Sequence, residues 1–443
     1  MTNARVVWVS ALVAAGVLAA SAQSAQVRYE RLFPLKSEEG VFAYARISPD
    51  GRTLAYASIM PDPARLAAAG LPRQPSRTTQ TVVDLKTGAV QFAEAGIDAY
   101  WSLDGDRMIF LAQSGAGGGV TMRHHPDGEI VRNVAPSSLG DYFSWAVRDG
   151  KNLILTIQSN YYYLDGDKAA LPAGRVVPCD GIGIGDRPLI SKDGRRITTF
   201  VRGSVVVRGL TDCENTIDTG LQGGKADFSF DGRHIAFHVA RAGTKTYEIV
   251  IVDLERKTVR TLPDLPGSSL FPSWTRDGRL CFRYDSDDYR GFMMASNVLS
   301  LPARPLSAAG TRVPATLRWN DLFPETPSPA HETTLVMIWA AWSAHSPYAL
   351  AELQAAGRAF AARRADVGVL TAVELSSRRA DIDRLLQDGA ISLPEIPLAP
   401  ERLFFTEALN QIPTTLLFRN GVLVDRRLGA QSADALAAWV ASR

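Results

Sequence analysis

Phe228-Ser229-Phe230-Asp231-Gly232-Arg233-His234-Ile235-Ala236-Phe237 holds an apolar strand, a charged turn and a second apolar strand within ten residues. Strand alternation on both sides of an Asp-Gly pair predicts a tight hairpin. Gly adopts positive φ without steric cost and Asp tolerates it. The same grammar returns five times. It is found at Ile47-Ser48-Pro49-Asp50-Gly51-Arg52-Thr53-Leu54-Ala55-Tyr56, and at Trp101-Ser102-Leu103-Asp104-Gly105 leading into Met108-Ile109-Phe110. It returns from Trp145 through Asp149-Gly150 into Leu153-Ile154-Leu155, and from Ile190 through Asp193-Gly194 into Ile197. The last copy is Trp274-Thr275-Arg276-Asp277-Gly278-Arg279-Leu280-Cys281-Phe282.

Successive Asp-Gly pairs lie 38 to 54 residues apart, which is the length of a four-stranded propeller blade. Later strands of the unit are legible at Thr81 to Leu85 and Glu248 to Leu254. The turn with its following Ile-Ala-Phe strand resembles the TolB-type propeller repeat, most closely at Asp50-Gly51 and Asp231-Gly232. The resemblance implies an all-β propeller of about six blades over residues 28–305. Residues 28–36 would lend a strand to the last blade, because closing the ring removes two exposed edges.

Residues 306–332 break the pattern. Pro314, Pro324, Pro327 and Pro329, with Pro302 and Pro305 just before, read as an interdomain connector. From Thr333 strands and helices alternate. Leu335 to Trp339 and Val367 to Val373 are buried strands; Ser346 to Arg364, Arg379 to Gln387 and Pro400 to Asn410 are helices. Thr414 to Phe418 and Val422 to Arg427 form a hairpin across Asn420-Gly421, and Ser432 caps a final helix.

At the front of this region stands Trp339-Ala340-Ala341-Trp342-Ser343-Ala344-His345-Ser346-Pro347, and before the hairpin Ile412-Pro413-Thr414-Thr415. The two motifs, in that order, resemble the thioredoxin fold. The helix around residues 379–388 is similar to that of exported TlpA-like proteins. The resemblance implies an α/β thioredoxin-like domain over residues 333–443. It also places the two redox cysteines of that family on Ser343 and Ser346. A thiolate attacks a disulfide and a second thiol resolves the product, and a hydroxyl does neither near neutral pH. The region contains no cysteine. Met337 falls where the family often holds a buried acid.

Four further site residues follow. His345 sits between the serines; its Ser–His reading lacks an orienting acid, so it reads as a surface residue at a helix start. Pro413 matches the family's cis-proline. It either shapes the fold alone or, with Trp342 and Ile412, offers peptide backbone to an extended partner strand.

The chain has 443 residues, is 46% hydrophobic and carries a formal charge of +2. That is too long for one ordinary domain, and without a basic block no nucleic-acid partner is expected. Residues 1–22 read as a signal peptide: Arg5, an apolar run from Val6 to Ala20, then Ala20-Ser21-Ala22. A periplasmic or secreted protein is expected, not integral to the membrane after cleavage. Of the three cysteines, Cys281 lies in an apolar strand. Cys179 and Cys213 follow neighbouring strands and are either bridged or free, since spacing does not decide connectivity. His124-His125 and the Asp285, Asp287, Asp288 group lack metal-ligand spacing, and no Gly-x-Ser-x-Gly elbow appears. No metal or cofactor is expected. The sequence therefore reads as a non-catalytic binding or scaffold protein with a protein or peptide partner. The alternative is an envelope redox protein working through a partner oxidoreductase.

Overall fold

The computed structural model describes residues 26–34, 41–60, 77–112, 119–126, 128–135, 143–156, 160–169, 174–175, 189–201, 204–213, 215–241, 244, 246–263, 265–306, 316–341, 343, 345–373, 379–398, 402 and 412–443. The expected signal peptide, Cys179, Trp342 and nearly all of the expected helix 400–410 lie outside them. The fold is mostly β, in several antiparallel sheets with few helices.

Each Asp-Gly pair turns the chain between antiparallel partners, but by two devices. In five of the six, a Ser or Thr stands two residues before the Asp. At Ser229 the hydroxyl donates to Asp231 Oδ1 and accepts from the amide of His234 at 2.9 Å. Asp231 Oδ1 accepts in addition from the amide of Arg233 at 2.9 Å, and Gly232 takes φ 68°. Ser48, Ser102, Ser191 and Thr275 repeat the bond to their aspartates. Val147 stands in that place in the third unit, so no hydroxyl is available. There Asp149 (φ 50°) and Gly150 (φ 75°) form a two-residue loop between the paired Arg148 and Lys151, as a type I′ hairpin requires.

Two strands of 12 residues, Val90–Trp101 and Ile217–Phe228, each serve two sheets. Val90–Trp101 pairs with Arg77–Asp84 through Thr79↔Ala95, then with Arg107–Ala112 from Gly96↔Ala112 onward. Ile217–Phe228 makes the same transfer at Gly223↔Val239. Glycine at the crossing has a steric cause. A Cβ on Gly96 would lie 2.7 Å from the Phe110 ring, and one on Gly223 would lie 2.5 Å from the Phe237 ring.

Neighbouring sheets are joined along their first strands. Trp101 Nε1 donates to the Arg46 carbonyl at 3.1 Å, and Ile47 N donates to Ser273 Oγ at 3.3 Å. Ile190 N donates to Ser144 Oγ at 3.0 Å, and Trp274 N donates to Asp227 Oδ2 at 2.9 Å. As the sequence suggested, the N-terminal strand Arg28–Pro34 pairs antiparallel with Arg290–Ser296, giving that sheet its fourth strand.

The C-terminal unit is one mixed sheet ordered Glu395–Ile396, Val367–Val373, Thr333–Trp339, Thr414–Arg419, Val422–Leu428. The first three strands run parallel and the last two are antiparallel. All seven residues of the central strand Thr333–Trp339 are buried, and its side chains alternate between two cores. Leu335, Met337 and Trp339 pack against helices α2 (Ser346–Ala362) and α4 (Ala433–Ala441). Val336 and Ile338 face the other way, with Leu416 and Phe418. That second face is covered by Trp319, Leu322 and Phe323, in and beside helix α1 (Trp319–Leu322), and by Tyr247, Leu270 and Phe271 of the N-terminal sheets. The two halves of the chain thus share one apolar core. Residues 316–332, expected as connector, belong to this packing: Trp319 N donates to Gly421 O at 2.7 Å and Leu423 N to Leu317 O at 2.9 Å. Helix α3 (Arg379–Asp388) adds an ion pair across the join, Arg290 Nη1 to Asp381 Oδ2 at 3.5 Å. The short strand Glu395–Ile396 was not anticipated; two residues carry no periodicity to read.

Candidate functional site

The chain leaves the central strand at Trp339 and enters α2 at Ser346. Between them it makes a turn, with Ser343 N donating to Ala340 O at 3.1 Å and Ser346 N to Ser343 O at 3.0 Å. Both serines point inward: Ser343 is 5% exposed and Ser346 is fully buried. Opposite them the Ile412–Pro413 peptide bond is cis, and Ile412 and Pro413 are both buried.

Ser343 Oγ donates to the Ile412 carbonyl at 2.7 Å, joining positions 69 residues apart. Ser346 Oγ accepts from the amide of Ala340 at 3.3 Å. Pro413 O accepts from Gly429 N at 2.8 Å, so the segment is held from its far side as well. The structure therefore brings Ser343, Ser346, Ile412 and Pro413 together. His345 is the N-cap residue of α2 and its side chain faces solvent. The Ser343 proton is directed at a backbone carbonyl, which is a structural bond and not the activation of a nucleophile. Met337 is buried among Leu335, Trp339 and Leu417, in the core beneath the turn.

Thiol inventory points the same way. Cys213 is disulfide-bonded. Cys281 is the free cysteine among the described residues, and burial pushes its thiol up to about 12. At that value the reactive thiolate is not populated near neutral pH.

The weaker constellations resolve into structure. His124 Nε2 meets Asp167 Oδ2 at 2.9 Å. Asp288 pairs with Arg31 at 2.8 Å and Asp285 with Arg283, so two of the three loop carboxylates already have cations. Among the described residues no group of three metal-ligating side chains comes together. No helix among them is long and apolar enough to cross a membrane.

Sequence reasoning missed the Ser343–Ile412 bond, because nothing local reports a contact across 69 residues. It also missed the shared core, which no local sequence pattern reports.

No protein-family model matches the chain, and no curated protein does. Among solved structures the chain is similar to TolB from Acinetobacter baumannii, at 16% identity over 61% of this chain and 67% of that one, with a TM-score of 0.36. It is similar to the β-propeller domain of the Trilobed protease from Pyrococcus furiosus at 9% identity, over 61% and 84% of the two chains, with a TM-score of 0.37. It is also similar to StoA from Bacillus subtilis at 17% identity, over 29% of this chain and 98% of that one, with a TM-score of 0.24. These likenesses assign no activity to the chain.

Proposed function

We propose that this is an exported, non-catalytic binding scaffold. Residues 28–305 would form a six-bladed propeller of TolB type, closed by the N-terminal strand and serving as a platform for a protein or peptide partner. Residues 333–443 would form a thioredoxin-like module without redox activity, fixed to the platform. Export is supported by the leader-like residues 1–22 and by the disulfide at Cys213, with Cys179 as its proposed mate.

The observation that carries this reading is the bond from Ser343 to the Ile412 carbonyl. The position where the thioredoxin family holds its attacking sulfur is here a structural hydroxyl, bonded to the very backbone that would otherwise receive a peptide. With Ser346 buried behind it, the turn serves to hold the second unit together.

A thiol–disulfide exchange assay on the purified full chain tests this, with dithiothreitol as reductant and insulin as disulfide substrate. The expected result is no acceleration over buffer. The Ser343→Cys/Ser346→Cys double variant is expected to accelerate the reaction, since it restores the sulfurs to the same frame. Turnover by the unaltered chain would overturn the reading.

A further inference from the structure

The residue between each Ser or Thr and its Asp has no role in the turn, yet these residues meet one another. Arg276 N donates to the Pro49 carbonyl at 2.8 Å. The Arg276 guanidinium donates to the Leu103 carbonyl and lies over the Phe230 ring, 5.8 Å from its centroid. Lys192 Nζ approaches the same ring to 5.4 Å. Pro49, Leu103, Lys192, Phe230 and Arg276 come from five different Asp-Gly turns. Turns far apart in sequence therefore converge on one small patch, with two cations over a single aromatic ring.

The two cations differ in their charge balance. Lys192 is paired with Asp227 at 3.0 Å, and Asp227 is itself buried. Arg276 is exposed, and among the described residues no carboxylate forms an ion pair with it. The adjacent Asp277 is engaged by the Thr275 hydroxyl and by Arg279 at 2.8 Å. Burial works against ionisation of Asp104, Asp231 and Asp277, but it is outweighed by the hydroxyl two residues back together with the backbone amide two residues on at Asp104 and Asp231, and with the Arg279 guanidinium at Asp277. All three carboxyls sit below the usual range, fixed in their turns. A guanidinium has five N–H donors in a planar fork, and the Leu103 carbonyl does not exhaust them.

We propose that this patch binds a carboxylate of an acidic, partly apolar peptide segment of a protein partner. Arg276 takes the carboxylate, and Phe230 with Leu103 receives the neighbouring apolar side chain. An Arg already stacked on an aromatic ring and tied to a carbonyl loses little rotamer freedom on binding, which favours a short charged ligand. The C-terminal unit packs on Leu270 and Phe271, in the middle of the strand Ser268–Trp274, while Arg276 is exposed and Leu103 and Phe230 are half-buried. The inference rests on the binding-scaffold reading and names the site and ligand chemistry within it.

The test is fluorescence anisotropy on the full chain with a labelled peptide, Gly-Ser-Leu-Glu-Phe-Glu with a free C-terminus. Its Gln-for-Glu, C-terminally amidated counterpart and inorganic phosphate serve as comparison arms. Saturable binding of the acidic peptide is expected, weakening as salt rises. Arg276→Gln is expected to weaken it about ten- to a hundredfold, since a charge-assisted hydrogen bond contributes about 1.5–3 kcal/mol. Arg276→Lys, which keeps charge without the fork, is expected to fall between. Circular dichroism melts certify the fold of each variant, and Phe230→Leu gives an independent loss through the ring. Equal affinity for the neutral peptide, displacement by phosphate alone, or binding unchanged in Arg276→Gln overturns the proposal. So does an absence of binding by the unaltered chain. A silent thiol assay alongside such a failure leaves the scaffold reading standing and removes only this site.

Discussion

Ser343→Ala removes one oxygen atom and no carbon, so its main effect is loss of the bond to Ile412. That bond is 2.7 Å long and both ends are buried, with Ser343 5% and Ile412 7% exposed. Deleting the donor forfeits a net hydrogen bond and leaves the carbonyl without that partner inside the protein. Together these cost about 1–3 kcal/mol. With a urea m-value of about 1–3 kcal/mol/M, the midpoint of the C-terminal unit should fall by roughly 1 M. Ser346→Ala is the internal comparison. Its hydroxyl accepts a longer bond, 3.3 Å from Ala340 N, and its loss should shift the midpoint less. Urea titration followed by tryptophan fluorescence and by far-ultraviolet circular dichroism reads both. Coincident midpoints for Ser343→Ala and the unaltered chain would refute the reasoning, because a neutral substitution means the hydroxyl does not hold the Ile412 segment.

Other consequences are open to measurement. Burial, with a lesser contribution from the Lys225 charge, pushes His238 down to about 3, against 6.5 when unfolded. Above pH 6.5 both states are neutral; below it the unfolded chain binds a proton that native His238 does not, so stability falls by about 1.4 kcal/mol per pH unit toward pH 3. His238→Phe should therefore lose about 2 kcal/mol less than the unaltered chain between pH 7 and pH 5, and an identical loss would contradict this. Native protein should show no fast reaction with Ellman's reagent and one thiol on unfolding, since Cys281 is buried with its thiol near 12. Two or more unmasked thiols would break the disulfide assignment of Cys213. Phe271→Ala removes a ring from the core shared by the two halves and should destabilise by about 3–5 kcal/mol. Calorimetry should then separate the unfolding of the two halves, and an unshifted, unchanged profile would show that the Phe271 ring contributes nothing to the join. Gly223→Ala forces a Cβ to 2.5 Å from the Phe237 ring and should cost about 1–3 kcal/mol; a neutral result would mean that the strand crossing relaxes freely.

Much of the architecture lay open in the chain because it is set by short-range chemistry. Asp-Gly at six places marked six turns, and Asn420-Gly421 marked the last hairpin, since positive φ is a local demand. The strand Val367–Val373 coincides with its apolar run, and α2 begins at Ser346 as read. The same local logic explains a miss. The third turn differs because Val147 replaces a hydroxyl, a difference visible in sequence once the bonds of the other five are known.

The candidate site divides along the same line. Sequence alone determined that Ser343 and Ser346 bear no sulfur and that residues 333–443 contain no thiol; composition decides that without any fold. Only tertiary structure decided what those hydroxyls do, which loop Ser343 grips and what covers Val336 and Ile338. Likewise it alone drew Pro49, Phe230 and Arg276 to one patch. Turns and periods are written in neighbouring residues, but a contact between distant residues depends on how whole sheets pack, and no local pattern encodes that partner.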